Sequence, residues 1–99
     1  MKLTYPTALV LEALATGSHH GFDVMDATGL PSGTVYPVLQ RLLRRGWVVA
    51  DWRVSDNQRR ARYYRLTAAG RRQLADEISW WRRTIGGVDR VLGAEPREA

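Results

Sequence analysis

A mainly α-helical domain with one small β-hairpin is the fold class this sequence predicts, and three observations predict it. Apolar residues recur at helical spacing in three short stretches before Gly46. The spacing then falls to two between Val48 and Leu66. From Leu74 the helical spacing returns, with Leu74, Ile78, Trp81, Ile85, Val88 and Leu92 separated by alternating steps of four and three. Helix, helix, helix, hairpin, long helix is the order of a winged helix-turn-helix unit with a C-terminal dimerisation helix.

The first helix is expected over Thr4 to Ala15, with Thr4 as N-cap and Pro6 in the first turn, where a missing N–H costs little. Leu11 and Leu14, with Ala8 and Ala15, line one side, while Leu9 and Val10 spread the apolar surface around the helix. A helix apolar on most sides is buried or shared with a partner. Gly17-Ser18 ends it. His19-His20-Gly21 reads as a turn: adjacent histidines cannot face one point and no ligand set stands at metal-binding spacing, so no metal is expected. Phe22, Val24 and Met25 then mark a second helix of two turns that ends at Thr28-Gly29, with Asp23 in its favourable first turn.

The stretch Leu30 to Gly46, LPSGTVYPVLQRLLRRG, is the one the rest presents. Two helices joined by a short glycine-containing turn signal a helix-turn-helix. Pro37 restricts the start of the third helix to Gly33 or Thr34, giving a recognition helix over 33–45. Val35, Leu39 and Leu42 form its apolar stripe. Thr34, Tyr36, Gln40, Arg41 and Arg44 occupy the other side, and Gly46 stops the helix. Arg and Gln suit purine edges in a major groove, and hydroxyls suit phosphates. An ordinary amphipathic helix with a solvated face is the plainer reading of this segment alone.

After Gly46, Val48, Ala50 and Trp52 alternate with Val49, Asp51 and Arg53, a strand with the first set facing in. Ser55 to Arg60 is a polar turn, and Arg62 to Leu66 a second strand with Tyr64 and Leu66 inward. The basic wing spans 53–62. Three arginines within four positions, Arg59, Arg60 and Arg62, repel one another unless a polyanion lies near, so the wing is expected on phosphates or in a minor groove.

Thr67 caps the last helix, whose heptad-like seam is expected to meet a second copy of the chain. Gly86-Gly87 interrupts the seam and is expected to loosen or bend it. Residues 1–72 thus form a DNA-binding unit, 73–92 a dimerisation helix of the same compact domain, and 93–99 a flexible tail.

Composition supports this reading. Ninety-nine residues make one domain, and 44% hydrophobic against 25% charged places it among ordinary globular chains. The absence of cysteine rules out disulfides and thiolate metal sites and points to the cytoplasm. The N-terminal apolar run is broken by Glu12, too soon to span a bilayer, and lacks a signal-cleavage pattern. The formal net charge of +5 is unevenly held: −2 over residues 1–40, +8 over 41–72 and −1 over 73–99. A basic block between near-neutral ends fits a polyanion-binding face, and fourteen Arg to one Lys favours phosphate and guanine recognition over mere solubility.

The segments HGFDVM (His20 to Met25), GTVYPVLQRLLRRGWV (Gly33 to Val48) and RYYRLTAAGRRQL (Arg62 to Leu74) closely resemble the motifs of PadR-family transcriptional regulators, in order, over residues 8–74. The Tyr36-Pro37 pair and the YYRLT–G–RR run are the specific parts. The resemblance implies a winged-helix homodimer, usually a repressor, that binds a pseudo-palindromic operator. It implies DNA contacts from Ser32, Gly33, Thr34, Tyr36, Pro37 and Gln40 and from Arg59 to Arg62. Arg41, on the same helix side, joins them. It also implies dimerisation by the C-terminal helix, often with the partner's first helix, which nominates Leu11, Leu74, Ile78, Trp81, Ile85, Val88 and Leu92. Family members often release DNA when a small hydrophobic or aromatic compound binds near that interface, and Trp80 and Trp81 are the candidates. The chain resembles the short subgroup, which ends after one C-terminal helix, although its second helix and the following turn are shorter than usual.

Among other classes, an enzyme is excluded: no cysteine, no paired carboxylates in an apolar setting and no phosphate loop followed by Lys is present, and no cofactor is expected. A winged-helix interaction module, with the heptad helix bound to a different protein, is the alternative.

Overall fold

The computed structural model describes residues 3–54 and 58–91, with side chains as far as Ile85. Thr4 lies in extended backbone, and its hydroxyl oxygen accepts the Thr7 N–H at 3.3 Å. With Pro6 in the first turn, that cap starts α1 (Tyr5–Ala15), which buries Thr7, Val10, Leu11, Ala13 and Leu14. His20 caps α2 (Gly21–Thr28) through its Nδ1, which accepts the Asp23 N–H at 3.3 Å. Gly29 at φ 73° ends α2 in a left-handed conformation that glycine adopts without strain. The chain then turns through Pro31 into α3 (Ser32–Arg44).

The third helix begins one residue before the position expected from Pro37 and carries that proline inside it. Pro37 falls within the first turn and a half, so it deletes a single hydrogen bond, to Gly33, rather than ending the helix. Val35, Val38, Leu39 and Leu42 are buried and make α3 the centre of the core.

Strands β1 (Val48–Val54) and β2 (Arg60–Leu66) pair antiparallel, from Val48 opposite Leu66 to Val54 opposite Arg60. Tyr64 and Leu66 point inward as their alternation requires. Three features correct the sequence reading. The second strand starts at Arg60, so Arg60 is a ladder residue and not part of the turn. The turn residues 55–57 lie outside the described set. Trp52, expected to face in, is 57% exposed, because β1 outruns the helices and its far half has no core to cover it. Lastly, His19-His20 is more than a turn. The Tyr64 N–H donates to the His19 carbonyl at 2.6 Å and His20 bridges Tyr63, so this segment borders the hairpin as a short third partner.

Thr67 starts α4 (Ala68–Val91): its hydroxyl accepts the Gly70 N–H at 3.1 Å and donates to the Gly46 carbonyl at 2.7 Å. The 24-residue helix runs unbroken through Gly86-Gly87, about 36 Å at the standard rise per residue. Leu74 and Glu77 turn toward α1 and are buried. Val88 and Leu92 of the expected seam, and the tail 93–99, fall outside the described side chains. Leu11 is corrected as an interface residue: it is 0% exposed, held in the core, and out of reach of any partner. Among the described residues no helix is long and apolar enough to cross a membrane.

A Cβ on Gly70 would run into the Trp47 carbonyl. Alanine ordinarily stabilises a helix by about 0.5–1 kcal/mol relative to glycine, but here the backbone must move. Gly70→Ala is therefore expected to destabilise the fold by about 1–3 kcal/mol, measured by urea unfolding.

Candidate nucleic-acid interface

With Val35, Val38, Leu39 and Leu42 buried, the geometry of a 3.6-residue turn puts Gly33, Pro37, Gln40 and Arg44 on the opposite face of α3, and all four are exposed. Ser32 is exposed at the helix start, and Thr34 is half-buried. Tyr36 and Arg41 form the two shoulders. Arg41 stands beside Thr4, Thr7 and Arg45, toward the start of α1. Tyr36 stands on the hairpin side, its ring laid on the Gly21 backbone so closely that a Cβ there would come within 2.5–2.7 Å of the ring edge and hydroxyl. Gly21 is what lets Tyr36 reach across.

Between Tyr36 and the hairpin runs a groove of about 530 Å³, with His20, Gly21 and Phe22 along one side and Trp52, Arg59, Arg60 and Arg62 along the other. The structure thus brings Tyr36 and the three wing arginines to one groove, while Arg41 lies away from it. Burial pushes the Tyr64 hydroxyl at its base above the usual tyrosine range, and the neighbouring Arg62 partly opposes that shift.

The hairpin orders its arginines on aromatic rings. The Arg60 guanidinium sits 4.8 Å from the centre of the Trp52 ring, and Arg62, paired opposite Trp52, sits 6.0 Å from it. Arg62 is also 5.8 Å from Tyr64, and Arg53 5.2 Å from Tyr63. Each such contact is worth about 0.5–1 kcal/mol at an exposed site. That does little for the fold, yet it limits where a guanidinium points. The exposed Asp51–Arg53 pair, at 3.7 Å, adds little. On the His20 side, Nε2 lies 3.3 Å from the Asp23 carboxylate, which fixes the imidazole at the groove edge.

Sequence reasoning missed Trp52, His20 and Phe22, which is 69% exposed despite its apolar helical position. The cross-strand pairing of Trp52 with Arg62 was the signal available for the first. No group of three or more His, Cys, Asp or Glu able to hold a metal occurs among the described residues.

On the far side of the domain, α1 and α4 enclose a second groove, lined by Tyr5, Leu9, Leu74, Glu77, Ile78, Trp81 and Ile85 among others. Ile78 and Ile85, at 38% and 54%, are exposed along its rim. Trp80 stands edge-on to Trp81, ring centres 5.2 Å apart, and does not line the groove.

Residues 10–76 match the family model described as transcriptional regulator PadR-like family. The chain belongs to that family. It is 39% identical over 83 residues to transcriptional regulator Rv3488 of Mycobacterium tuberculosis, an alignment covering 83% of this chain and 67% of the relative. A PadR family transcription regulator from Clostridium difficile superposes with a TM-score of 0.81 at 22% identity, covering 90% of this chain and 99% of that one. Bacillus subtilis PadR, solved in complex with operator DNA, superposes with a TM-score of 0.68 at 20% identity, over 75% of this chain and 46% of that one. These two structures show the winged-helix fold. The PadR assignment makes this chain a DNA-binding transcriptional regulator and not an enzyme.

Because Trp52 is exposed and outside the core, Trp52→Ala should leave the melting temperature nearly unchanged. It should weaken operator DNA binding by about three- to tenfold through loss of two guanidinium contacts. Trp52→Phe should restore most of it, as read by fluorescence anisotropy.

Proposed function

We propose that this PadR-family chain is a cytoplasmic homodimeric repressor that places α3 in the major groove of a pseudo-palindromic operator and its hairpin on the flanking phosphates or minor groove. The observation that carries the reading is the basic groove that Tyr36 of α3 shares with the wing arginines Arg59, Arg60 and Arg62. Gly33, Thr34, Gln40 and Arg44 supply base-edge contacts, and Ser32, Arg41, Arg59, Arg60 and Arg62 contact phosphate. Pro37 keeps the helix surface low at the point of closest approach.

The winged unit over 1–72 is joined to its copy through the helix over 73–92. The exposed Ile78 and Ile85, with Trp81 between them, supply the self-complementary apolar strip a two-fold dimer needs. The described part of that strip is short, and Val88 and Leu92 extend it in sequence. A compound seated in the α1–α4 groove against Trp81 would release the operator. The alternative, an interaction module bound to a different protein, is separated from this one by sedimentation of the isolated chain. A two-fold species that shifts selected genomic fragments supports the repressor; a monomer that shifts none supports the module.

Two outcomes are expected in anisotropy titrations with selected operator DNA. Affinity should fall by about 10³-fold or more between 50 and 200 mM salt if six or more phosphates are neutralised. Arg59→Ala with Arg60→Ala should weaken binding to all sequences and reduce the salt slope by about two. By contrast, Gln40→Ala should cost about 1–3 kcal/mol at one base position and relax the preference there, read by competition with single-base operator variants. Half-sites should lie about one helical turn apart, or a multiple of it. Normal operator binding by the wing double variant across the salt range would remove the hairpin from the interface.

A further inference from the structure

The groove beside the hairpin holds more than its arginines need. A duplex backbone offers phosphates and sugars, and guanidinium groups are what meet the phosphates. Yet three exposed rings stand round the same groove: Phe22 on the α2 side, Tyr36 from α3 and Trp52 on the hairpin. Single exposed apolar side chains are ordinary on a protein surface, but three lining one basic groove form a patch. Tyr36 is held against the Gly21 backbone, which fixes it as a wall. Trp52 stays exposed although Arg60 and Arg62 lie against it, so part of the indole remains open. Among the described residues that line the groove none is a carboxylate; Asp23 stands at its edge, paired with His20.

We infer that this groove binds an unpaired DNA strand, its bases stacked on Phe22 and Trp52 and its phosphates on Arg60 and Arg62. Every base has a flat π face, so an aromatic ring takes any base that is not already stacked in a duplex. A cationic groove with aromatic walls is the arrangement that holds single strands without sequence preference. Its volume of about 530 Å³ lies within the range of about 300–1,000 Å³ usual for sites that enclose a small molecule, so a base with its sugar can enter between the walls. A duplex touching the groove through phosphates alone would leave the rings in water. This goes beyond the operator reading, because it needs the groove and no sequence read by α3.

The test titrates the full chain, by fluorescence anisotropy, against two end-labelled strands of about eight nucleotides, within the usual single-strand site size. One is oligothymidine; the other has the same phosphate count, but its sugars carry no base. Equal charge cancels the phosphate contribution, so the difference reports the rings. Oligothymidine should bind at least about tenfold more tightly, the gain expected from stacking one base. The two salt slopes should agree, since both strands release the same counterions. Phe22→Ala with Trp52→Ala should bring the two strands to within about threefold, whereas Phe22→Tyr with Trp52→Phe keeps the preference. Both side chains are exposed, so the variants keep the fold, which circular dichroism checks; the wild-type comparison stands without them. Equal binding of the two strands, no binding of either, or an undiminished preference in the folded alanine variant overturns the proposal. Operator duplex is titrated on the same samples. Operator binding without preference for the base-bearing strand sinks this inference and leaves the repressor; base preference without operator binding does the reverse.

Discussion

Burial of one stripe of α3 is the constraint on which the rest depends. Val35, Val38, Leu39 and Leu42 are held between α1, α2 and the base of the hairpin, and their burial alone decides which side chains of α3 look outward. Large-to-small changes at such fully enclosed positions cost about 2–5 kcal/mol. Rotating the helix by one position would bury Tyr36, Gln40 or Arg41, each with polar groups the core does not pair. In the proposed regulator, reading a nucleic acid and folding are therefore the same choice of helix orientation. The hairpin's position follows from a neighbouring contact, the Tyr64 N–H donating to the His19 carbonyl, which ties β2 to the residues that start α2.

That tie explains why the groove beside Tyr36 has a defined shape. One wall belongs to the start of α2 and the other to a two-stranded ribbon, and a two-stranded ribbon alone is marginal in water. Pairing at His19-His20 and the inward Tyr64 and Leu66 anchor its base, while its outer half projects free of the core. Contacts between Arg60, Arg62 and Trp52 then order the projecting half at low energetic cost. The sheet end proposed to meet DNA is the end the core does not cover.

Much of this was legible in the sequence. The helix order, the Thr4 and Thr67 caps, the end of the second helix at Gly29 and the inward alternation of Tyr64 and Leu66 all arise from local spacing, and local spacing is what a sequence displays. What was not legible depends on how far each element extends past the core. Trp52 has the right parity to face inward, but parity says nothing about whether anything lies there. Phe22 has helical spacing yet sits on the groove side of α2, where it stays exposed. Leu11 looked available to a partner because α1 is apolar nearly all round; its own core takes it first. The extra pairing at His19-His20 is a long-range backbone contact, with no side-chain pattern to announce it.

The placement of α1 links the two grooves. It packs on α2, α3 and β2 with one side and on α4 with the other, and its fully buried Val10 and Leu11 belong to the same cluster as Val35 and Leu39. Interiors packed at crystal-like density transmit displacement rather than absorb it. A ligand changes an equilibrium only by its differential affinity for two arrangements. For the effector proposed at the α1–α4 groove, that difference would reside in the spacing between Trp81 on α4 and Tyr5 and Leu9 on α1. Such a compound would press on α1, and α1 packs directly on α3.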